Sequence, residues 1–202
     1  MANGRVITGY SKPKVATYVN TSGTISYTGK AALARGVSVS MDITTSDNTD
    51  FYADNVLAES AGGKFTGGTV TLTVDGLKDA ARKLIMGLPT ETSMSVVISG
   101  TTTTVKVLEY DDRQSIPYVG IGFVVRYMED GVTSYVPVML PKCIFDEDTI
   151  EASTETDSLE FQTAELTAQI SRDDSTNHRW RRIGEAQTSE AAAEAVLDAM
   201  LT

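Results

Sequence analysis

The sequence predicts a mainly-β fold, a β-sandwich or barrel with one flanking helix. Apolar and polar residues alternate along several short segments in which β-branched side chains are frequent. Turn signals such as Asp130-Gly131 separate these segments. Helical periodicity is confined to two stretches, at about 77–87 and about 189–201.

The N-terminal part is predicted to be an arm followed by strands. Residues 1–14 are polar and contain glycines and Pro13, so we expect an arm there. Residues 15–19 and 24–28 are short strand candidates on either side of a turn. Residues 33–43 alternate more regularly and predict a stronger strand.

Residues 44–64 show no sustained strand pattern and are predicted to be a long polar loop. A loop of about 20 residues is unusual in a compact domain and tends to be functional. Because it contains aromatic and aliphatic residues, we expect it to bury them, either against a neighbouring subunit or folded back on its own subunit. Phe51 and Tyr52 are the predicted anchors. The predicted contact residues are Asp47, Asp50, Phe51, Tyr52, Asp54, Val56 and Leu57.

Residues 67–88 are predicted to be a strand that continues directly into an amphipathic helix. Apolar and threonine residues alternate up to Asp75, whose carboxylate we expect to cap the first helical turn. The period then changes to that of a helix, which ends at Gly87 and Pro89. The apolar stripe facing the core consists of Leu77, Ala81, Leu84, Ile85 and Leu88.

Two hairpins and a long strand complete the predicted β-domain, residues 15–171. The first hairpin pairs residues 94–99 with 103–108, and the second pairs 117–128 with 132–140. Gly120 and Gly122 fall on one face of the second hairpin, which permits close packing or a bend. The last strand is predicted at 159–171.

Residues 172–202 are predicted to form a C-terminal arm and helix. Thr188 or Ser189 is the expected N-cap of that helix. Trp180 lies among arginines, and its role is either to anchor the arm or to stack on a base or ring. The anchor is the favoured interpretation, because the chain is acidic and this aromatic is isolated.

Composition excludes several classes of protein. The net charge of the 202 residues is −10, which argues against a general nucleic-acid-binding surface. The single cysteine, Cys143, excludes an internal disulfide framework. We see no signal peptide and no apolar run of membrane-spanning length, so we expect a protein that folds in a cytoplasm and contacts no membrane.

No catalytic or metal-binding constellation is visible in the sequence. Cys143 and the only histidine, His178, lie in no known nucleophile motif, and a zinc site lacks ligands. The acidic runs 111–112, 146–148 and 173–174 lack EF-hand spacing and are interpreted as carboxylates in solvated turns. We therefore expect no enzyme, no metal and no cofactor.

Several segments resemble one protein family. They are MANGRVITGYSKP at 1–13, ARGVSV at 34–39, DFYADN at 50–55, the unit 65–88, and the end of the chain with Trp180 and an Ala/Glu-rich helix. In this order they are similar to the major tail proteins, or tail tube proteins, of long, non-contractile-tailed bacteriophages and related prophages. The resemblance covers nearly the whole chain.

The resemblance implies a tail-tube-type sandwich or barrel whose copies form hexameric rings, stacked into a tube through which DNA passes without specific binding. It implies a virion tail assembled in the host cytoplasm, with tape measure, tail tip or baseplate and tail terminator proteins as partners. It offers no catalytic residues. An acidic lumen would repel phosphates, although the charge also suits solubility alone. Alternatives are the inner tube of a contractile tail, tailocin or secretion-like particle, a monomeric β-sandwich binding or adhesion module and, least favoured, an enzyme.

Overall fold

The chain is built mainly from antiparallel strands. The structure, a computed structural model, describes residues 4–150, 152, 154 and 162–202. With 56% strand and 10% helix, it confirms the predicted mainly-β fold class. The elements in chain order are β1 (Val6–Thr21), β2 (Thr24–Ala32), β3 (Gly36–Thr45), β4 (Thr49–Ala53), β5 (Val56–Ala61), β6 (Phe65–Val74), α1 (Asp79–Met86), β7 (Thr92–Ile98), β8 (Thr101–Val107), β9 (Val119–Glu129), β10 (Val132–Phe145), β11 (Ala164–Ser171), β12 (Arg182–Ile183) and α2 (Glu190–Met200).

The main sheet contains eight strands in the order β2-β1-β9-β10-β11-β6-β3, and the short β12 pairs with β10 beside β11. Every pairing in it is antiparallel. Two further pairs, β4–β5 and β7–β8, are hairpins outside this sheet. The sheet therefore forms the body, and the two hairpins extend from it.

The main core lies on one face of the sheet. In β6, Val70, Leu72 and Val74 are fully buried, as their alternation with threonines predicts. In β9, Ile121 and Phe123 belong to the same core. Because alternate residues of a strand point to one face, a few strands with this pattern suffice to build a continuous apolar layer.

Helix α1 covers part of this core. Of the predicted stripe, Ala81 and Ile85 are fully buried, while Leu77, Leu84 and Leu88 are partly buried and pack against the core. Met86, which lies off the predicted stripe, is also fully buried. Burying a residue such as Ile85 contributes about 1.5–3 kcal/mol to folding.

The predicted start of this helix is wrong. Its N-cap is Lys78 rather than Asp75, and the helix is shorter than the predicted 77–87. The Asp75 carboxylate instead accepts a hydrogen bond from the Arg35 backbone N–H at 2.9 Å and pairs with the Arg35 guanidinium. The carboxylate thus joins β6 to the segment before β3. The predicted end is correct, because Gly87 has the left-handed conformation (φ 59°) of a helix C-cap.

Helix α2 covers the opposite face of the sheet. Its N-cap is Ser189, whose hydroxyl accepts from the Ala192 N–H at 3.2 Å. Leu197 and Leu201 pack with Val124 and Met139 in a second, smaller core cluster. The centre of the sheet is therefore buried on both faces.

The glycines of β9 allow α2 to approach closely. A Cβ atom on Gly122 would lie 2.6 Å from the Cδ1 of Leu197, and one on Gly120 would lie 3.1 Å from Leu201. The nearest atom to a Cβ on Gly120 belongs to the Tyr27 ring of β2, at 2.6 Å. A larger residue at either position would therefore make these side chains shift. The close packing expected of Gly120 and Gly122 is thus a contact with α2 at Gly122 and with Tyr27 at Gly120.

Ion pairs also hold α2 to the sheet. The Lys14 ammonium lies 2.8 Å from the carboxylates of both Glu194 and Asp198. Lys12 pairs with Glu194 at 3.1 Å, and Lys30 pairs with Asp198 at 3.3 Å. The hydrogen bond from Lys14 lowers the pKa of Glu194. Partial burial raises the pKa of Asp198, but the lysines outweigh this effect and the net shift is downward.

The expected N-terminal arm, residues 1–14, is from Val6 onward part of strand β1 in the structure. Val6 pairs with Met128, and the ladder between β1 and β9 continues to Thr17. Register shifts at Ile7/Gly9 and Ser11/Lys14 interrupt the alternation, so the sequence alone hides this strand. Residues 1–3 lie outside the described residues, as do residues 159–161 of the predicted last strand; β11 begins at Ala164.

The expected long loop, residues 44–64, is mostly a hairpin in the structure. β3 extends to Thr45, and β4 and β5 form a hairpin. Asp54 and Asn55 at its tip both have positive φ (52° and 64°), as a two-residue type I′ turn requires. The turn lacks the usual glycine, and the register shifts between Phe51 and Tyr52, so the sequence pattern resembles a loop.

We expect Gly122→Ala to destabilise the protein by about 1–3 kcal/mol, because its methyl group would overlap Leu197 and overpack the contact with α2. Gly62→Ala is the matched control, since a Cβ there meets no atom within 4 Å. Urea unfolding followed by circular dichroism measures both. Equal stability of the two variants would contradict the described packing of α2.

The charges on α2 predict a pH-dependent stability. Since the folded-state pKa values of Glu194 and Asp198 lie below their unfolded values, their contribution is present above roughly pH 5 and is lost as the pH falls through the folded pKa. Glu194→Gln combined with Asp198→Asn should lower the urea midpoint at pH 7, and this effect should become smaller as the pH falls towards 3. Glu185→Gln is the control. A difference that persists unchanged at pH 3 would rule out the ion pairs as its cause.

Candidate functional site

The β4–β5 hairpin exposes large apolar side chains. Phe51, Tyr52, Val56 and Leu57 are 50–66% exposed, and every residue of the two strands is exposed. They are not folded back on their own subunit, which was one of the two expectations for this segment. A two-stranded hairpin is marginally stable by itself in water, and exposed apolar side chains mark a contact surface.

Both faces of this hairpin carry apolar groups. Tyr52 pairs with Leu57 and Ala53 pairs with Val56, without a register shift between these two pairs. Since paired residues share a face and neighbours alternate, Tyr52 and Leu57 lie on one face and Val56 lies on the other. A hairpin of this kind is suited to insertion between two surfaces rather than to lying on one.

The base of the hairpin is held firmly. The Ser46 N–H donates to the Lys64 carbonyl at 2.8 Å, and the Lys64 N–H donates to the Ser46 hydroxyl at 3.0 Å. The Asn48 side chain accepts from the Gly63 N–H at 2.9 Å. These bonds continue the β3–β6 ladder into the hairpin and set its direction relative to the sheet.

The hairpin is also strongly acidic. Residues 46–63 contain four carboxylates and no lysine or arginine. The predicted contact residues Asp47, Asp50 and Asp54 lie on it, and Glu59 adds a fourth charge that the sequence analysis did not single out. A binding surface for the hairpin must therefore offer both apolar area and positive charge.

The β7–β8 hairpin is a second exposed element. Its pairing places Met94 opposite Val105 and Ile98 opposite Thr101. Met94, Val97 and Ile98 are at least half exposed. The sequence predicted this hairpin but not its exposure, because exposure depends on what packs against it.

The main sheet has two end strands, β2 and β3. Near the end of α2, the Thr202 carbonyl accepts a hydrogen bond from the Tyr27 N–H of β2 at 3.1 Å. No described backbone group pairs with the outer edge of β3. Strand edges of this kind can pair with another chain.

Trp180 packs on its own subunit. Its ring stacks on Phe65 with centroids 4.5 Å apart and 3° between planes, and the Arg181 guanidinium lies 4.6 Å from its centroid. The buried Asp173 carboxylate accepts from the backbone N–H of Arg179 at 2.7 Å, which fixes the preceding turn. Phe65 is the first residue of β6, so this contact connects the C-terminal segment to the base of the β4–β5 hairpin.

Cys143 lies in the core, and one residue of each acidic run forms an ion pair. Cys143 is fully buried in the main core, and this burial raises the pKa of its thiol well above the ordinary value. Asp111, Asp148 and Asp174 form ion pairs with nearby basic residues. Within the described ranges, no group of three or more His, Cys, Asp or Glu side chains is arranged to hold a metal ion.

Comparisons with known proteins add no assignment. The chain matches no protein-family model, and a search of curated proteins found no match. Neither helix of the described residues has the length and apolar character needed to cross a bilayer. The proposed function therefore depends on the two exposed hairpins and on the end strands of the main sheet.

We expect Phe51→Ser combined with Tyr52→Ser to change the free energy of unfolding of the unassembled subunit by no more than about 0.5 kcal/mol, because both side chains are exposed. Trp180→Ala should cost roughly 2–3 kcal/mol, since it removes a partly buried ring stacked on Phe65. Urea unfolding at a concentration without oligomers measures both. A large loss in the double variant would show that the hairpin supports its own subunit.

Proposed function

We propose that the protein is a structural subunit that assembles with copies of itself into stacked rings, forming the tail tube of a long, non-contractile-tailed phage or prophage. The observation that carries this proposal is the β4–β5 hairpin, which exposes apolar side chains on both faces. A monomer gains nothing from exposing them, whereas an assembly buries them.

The arrangement of surfaces supports a ring and a stack. The end strands β2 and β3 are different surfaces, so contact between β2 of one copy and β3 of the next is heterologous and closes a ring if the rotation permits. A second heterologous contact that does not close extends the rings into a filament. The hairpin is the candidate for this second contact.

The charge suits passage of DNA through such a tube. With a net charge of −10, the subunit offers no general phosphate-binding surface, and an acidic lumen repels the DNA backbone. DNA would then move through without specific binding. Tape measure, tail tip or baseplate and tail terminator proteins, which the family resemblance implies, are the proposed partners. The proposed location is the virion tail, after assembly in the host cytoplasm.

Two alternatives make different predictions. The inner tube of a contractile tail, tailocin or secretion-like particle would use the same contacts but would be surrounded by a sheath in isolated particles. A monomeric binding module would show no concentration-dependent assembly. No catalytic step is part of the proposed function.

Negative-stain microscopy and sedimentation of the purified protein test the proposal. We expect rings or tubes from the unaltered protein. Phe51→Ser combined with Tyr52→Ser, or a short Gly-Ser linker in place of residues 53–63, should remove long tubes while circular dichroism remains that of a folded β protein. Val132→Ser is the control, because this exposed residue lies beside the β9–β10 turn, away from both exposed hairpins.

Two results would count against the proposal in different ways. An unaltered protein that sediments as a monomer at all concentrations, without rings or tubes, would refute self-assembly. Tubes of normal length from the double variant would refute the role of the hairpin alone.

A further inference from the structure

We propose that the β4–β5 hairpin of one copy docks into a basic groove at the opposite end of the β3–β6 strand pair of a second copy. The inference rests on the proposed function and deepens it, since it names the surface that receives the hairpin.

The groove lies where three segments meet. They are residues 11–14 of β1, residues 32–36 between β2 and β3, and residues 75–78 between β6 and α1. Its volume is about 800 Å³, and the side chain of Glu194 from α2 completes its wall. Pro13, Ala32 and Ala34 provide apolar lining between the charged groups. It is thus wide enough for several side chains and mixed in character, as a partner for an apolar and acidic hairpin must be.

Positive charge predominates in the groove. Four of its lining residues are basic and two are acidic. The Arg35 side chain is 91% exposed although it pairs with Asp75, and Lys78 is exposed and forms no ion pair with a described residue. Hence the lining residues carry a surplus of two positive charges, although Lys14 is also paired with Asp198. The hairpin has four negative charges and no positive one.

The hairpin and the groove lie at opposite ends of the same two strands. β3 begins beside the groove at Gly36 and ends at Thr45, where the hairpin begins. β6 begins at Phe65, where the hairpin ends, and Val74 leads back to the groove. At about 3.3 Å per residue, these ten-residue strands separate the two surfaces by roughly 30 Å.

This separation determines the type of assembly. A contact between the hairpin of one copy and the groove of another joins two different surfaces, so it is heterologous. Each copy then has one occupied groove and one inserted hairpin, and the contact repeats along the direction of β3 and β6. The result is a stack that grows without closing when the rotation between copies does not return to the first one. Ion pairs contribute to this contact, so salt weakens it.

Charge reversal tests the pairing of the two surfaces. We expect Asp47→Lys, Asp50→Lys and Glu59→Lys together, which change the hairpin charge from −4 to +2, to reduce the sedimentable tube fraction at least tenfold. Arg35→Glu combined with Lys78→Glu, which changes the summed charge of the groove lining from +2 to −2, should have the same effect. All five substitutions in one chain should restore tubes, because the charges are exchanged. Lys106→Glu combined with Arg113→Glu is the matched control: these side chains are 72% and 69% exposed, and each also loses an ion pair.

A mixing experiment adds a second test. The hairpin variant retains a normal groove, and the groove variant retains a normal hairpin. Neither should stack alone, but an equal mixture should form tubes, visible in micrographs, because each reversed surface then meets a surface of opposite charge. Lys78→Glu alone is the smaller groove variant, in case the larger one does not fold: it keeps the Arg35–Asp75 ion pair and should also shorten tubes.

The outcomes separate this inference from the proposed function. If groove reversal leaves tube length unchanged while hairpin variants lose tubes, the hairpin binds elsewhere and the inference is wrong, although self-assembly stands. If the five-substitution chain and the mixture both fail to restore contact while each variant is folded, the pairing is also refuted. If the unaltered protein never assembles, the proposed function fails and the inference fails with it.

Discussion

The burial of β9 and β10 on both faces is the constraint on which the rest of the structure depends. Their core-facing residues, including Phe123 and Val138, pack into the main core, while Val124 and Met139 lie under α2. A strand with two buried faces cannot alternate apolar with polar residues, and β9 accordingly reads Val-Gly-Ile-Gly-Phe-Val-Val from Val119 to Val125. Gly122 in this run leaves the space that Leu197 of α2 occupies, so the packing of α2 depends on it.

Several elements could be predicted from the sequence because their signals are local. The alternation in β6, the apolar stripe of α1 and the hydroxyl cap of α2 each involve residues within a few positions of one another, and each lies at or near its predicted place. Close packing at Gly122 is one of the two possibilities that the sequence predicts, but the partner, Leu197, lies 75 residues further along the chain. The residues next to a glycine in the sequence do not show which element packs against it in the fold.

The predictions that the structure contradicts failed for physical reasons. The first half of β1 resembles an arm because register shifts break its alternation. Asp75 resembles a helix cap because Asp is a preferred residue at the N-cap position. The β4–β5 hairpin lacks a glycine at its tip, since Asp54 and Asn55 adopt positive φ there instead. The groove could not be predicted, because its walls come from segments far apart in the sequence.

The pairing of β3 with β6 gives the two proposed docking surfaces a fixed relation. The ladder runs from Gly36 opposite Val74 to Thr45 opposite Phe65, and β11 pairs with the other edge of β6. Because β6 is hydrogen-bonded on both sides, its two ends cannot move independently without breaking backbone pairs. The hairpin is joined to one end by the hydrogen bonds of Ser46, and the groove is joined to the other end through Asp75. A copy that stacks by these surfaces therefore adds a constant length, set by a strand pair inside the sheet rather than by the exposed residues that make the contact.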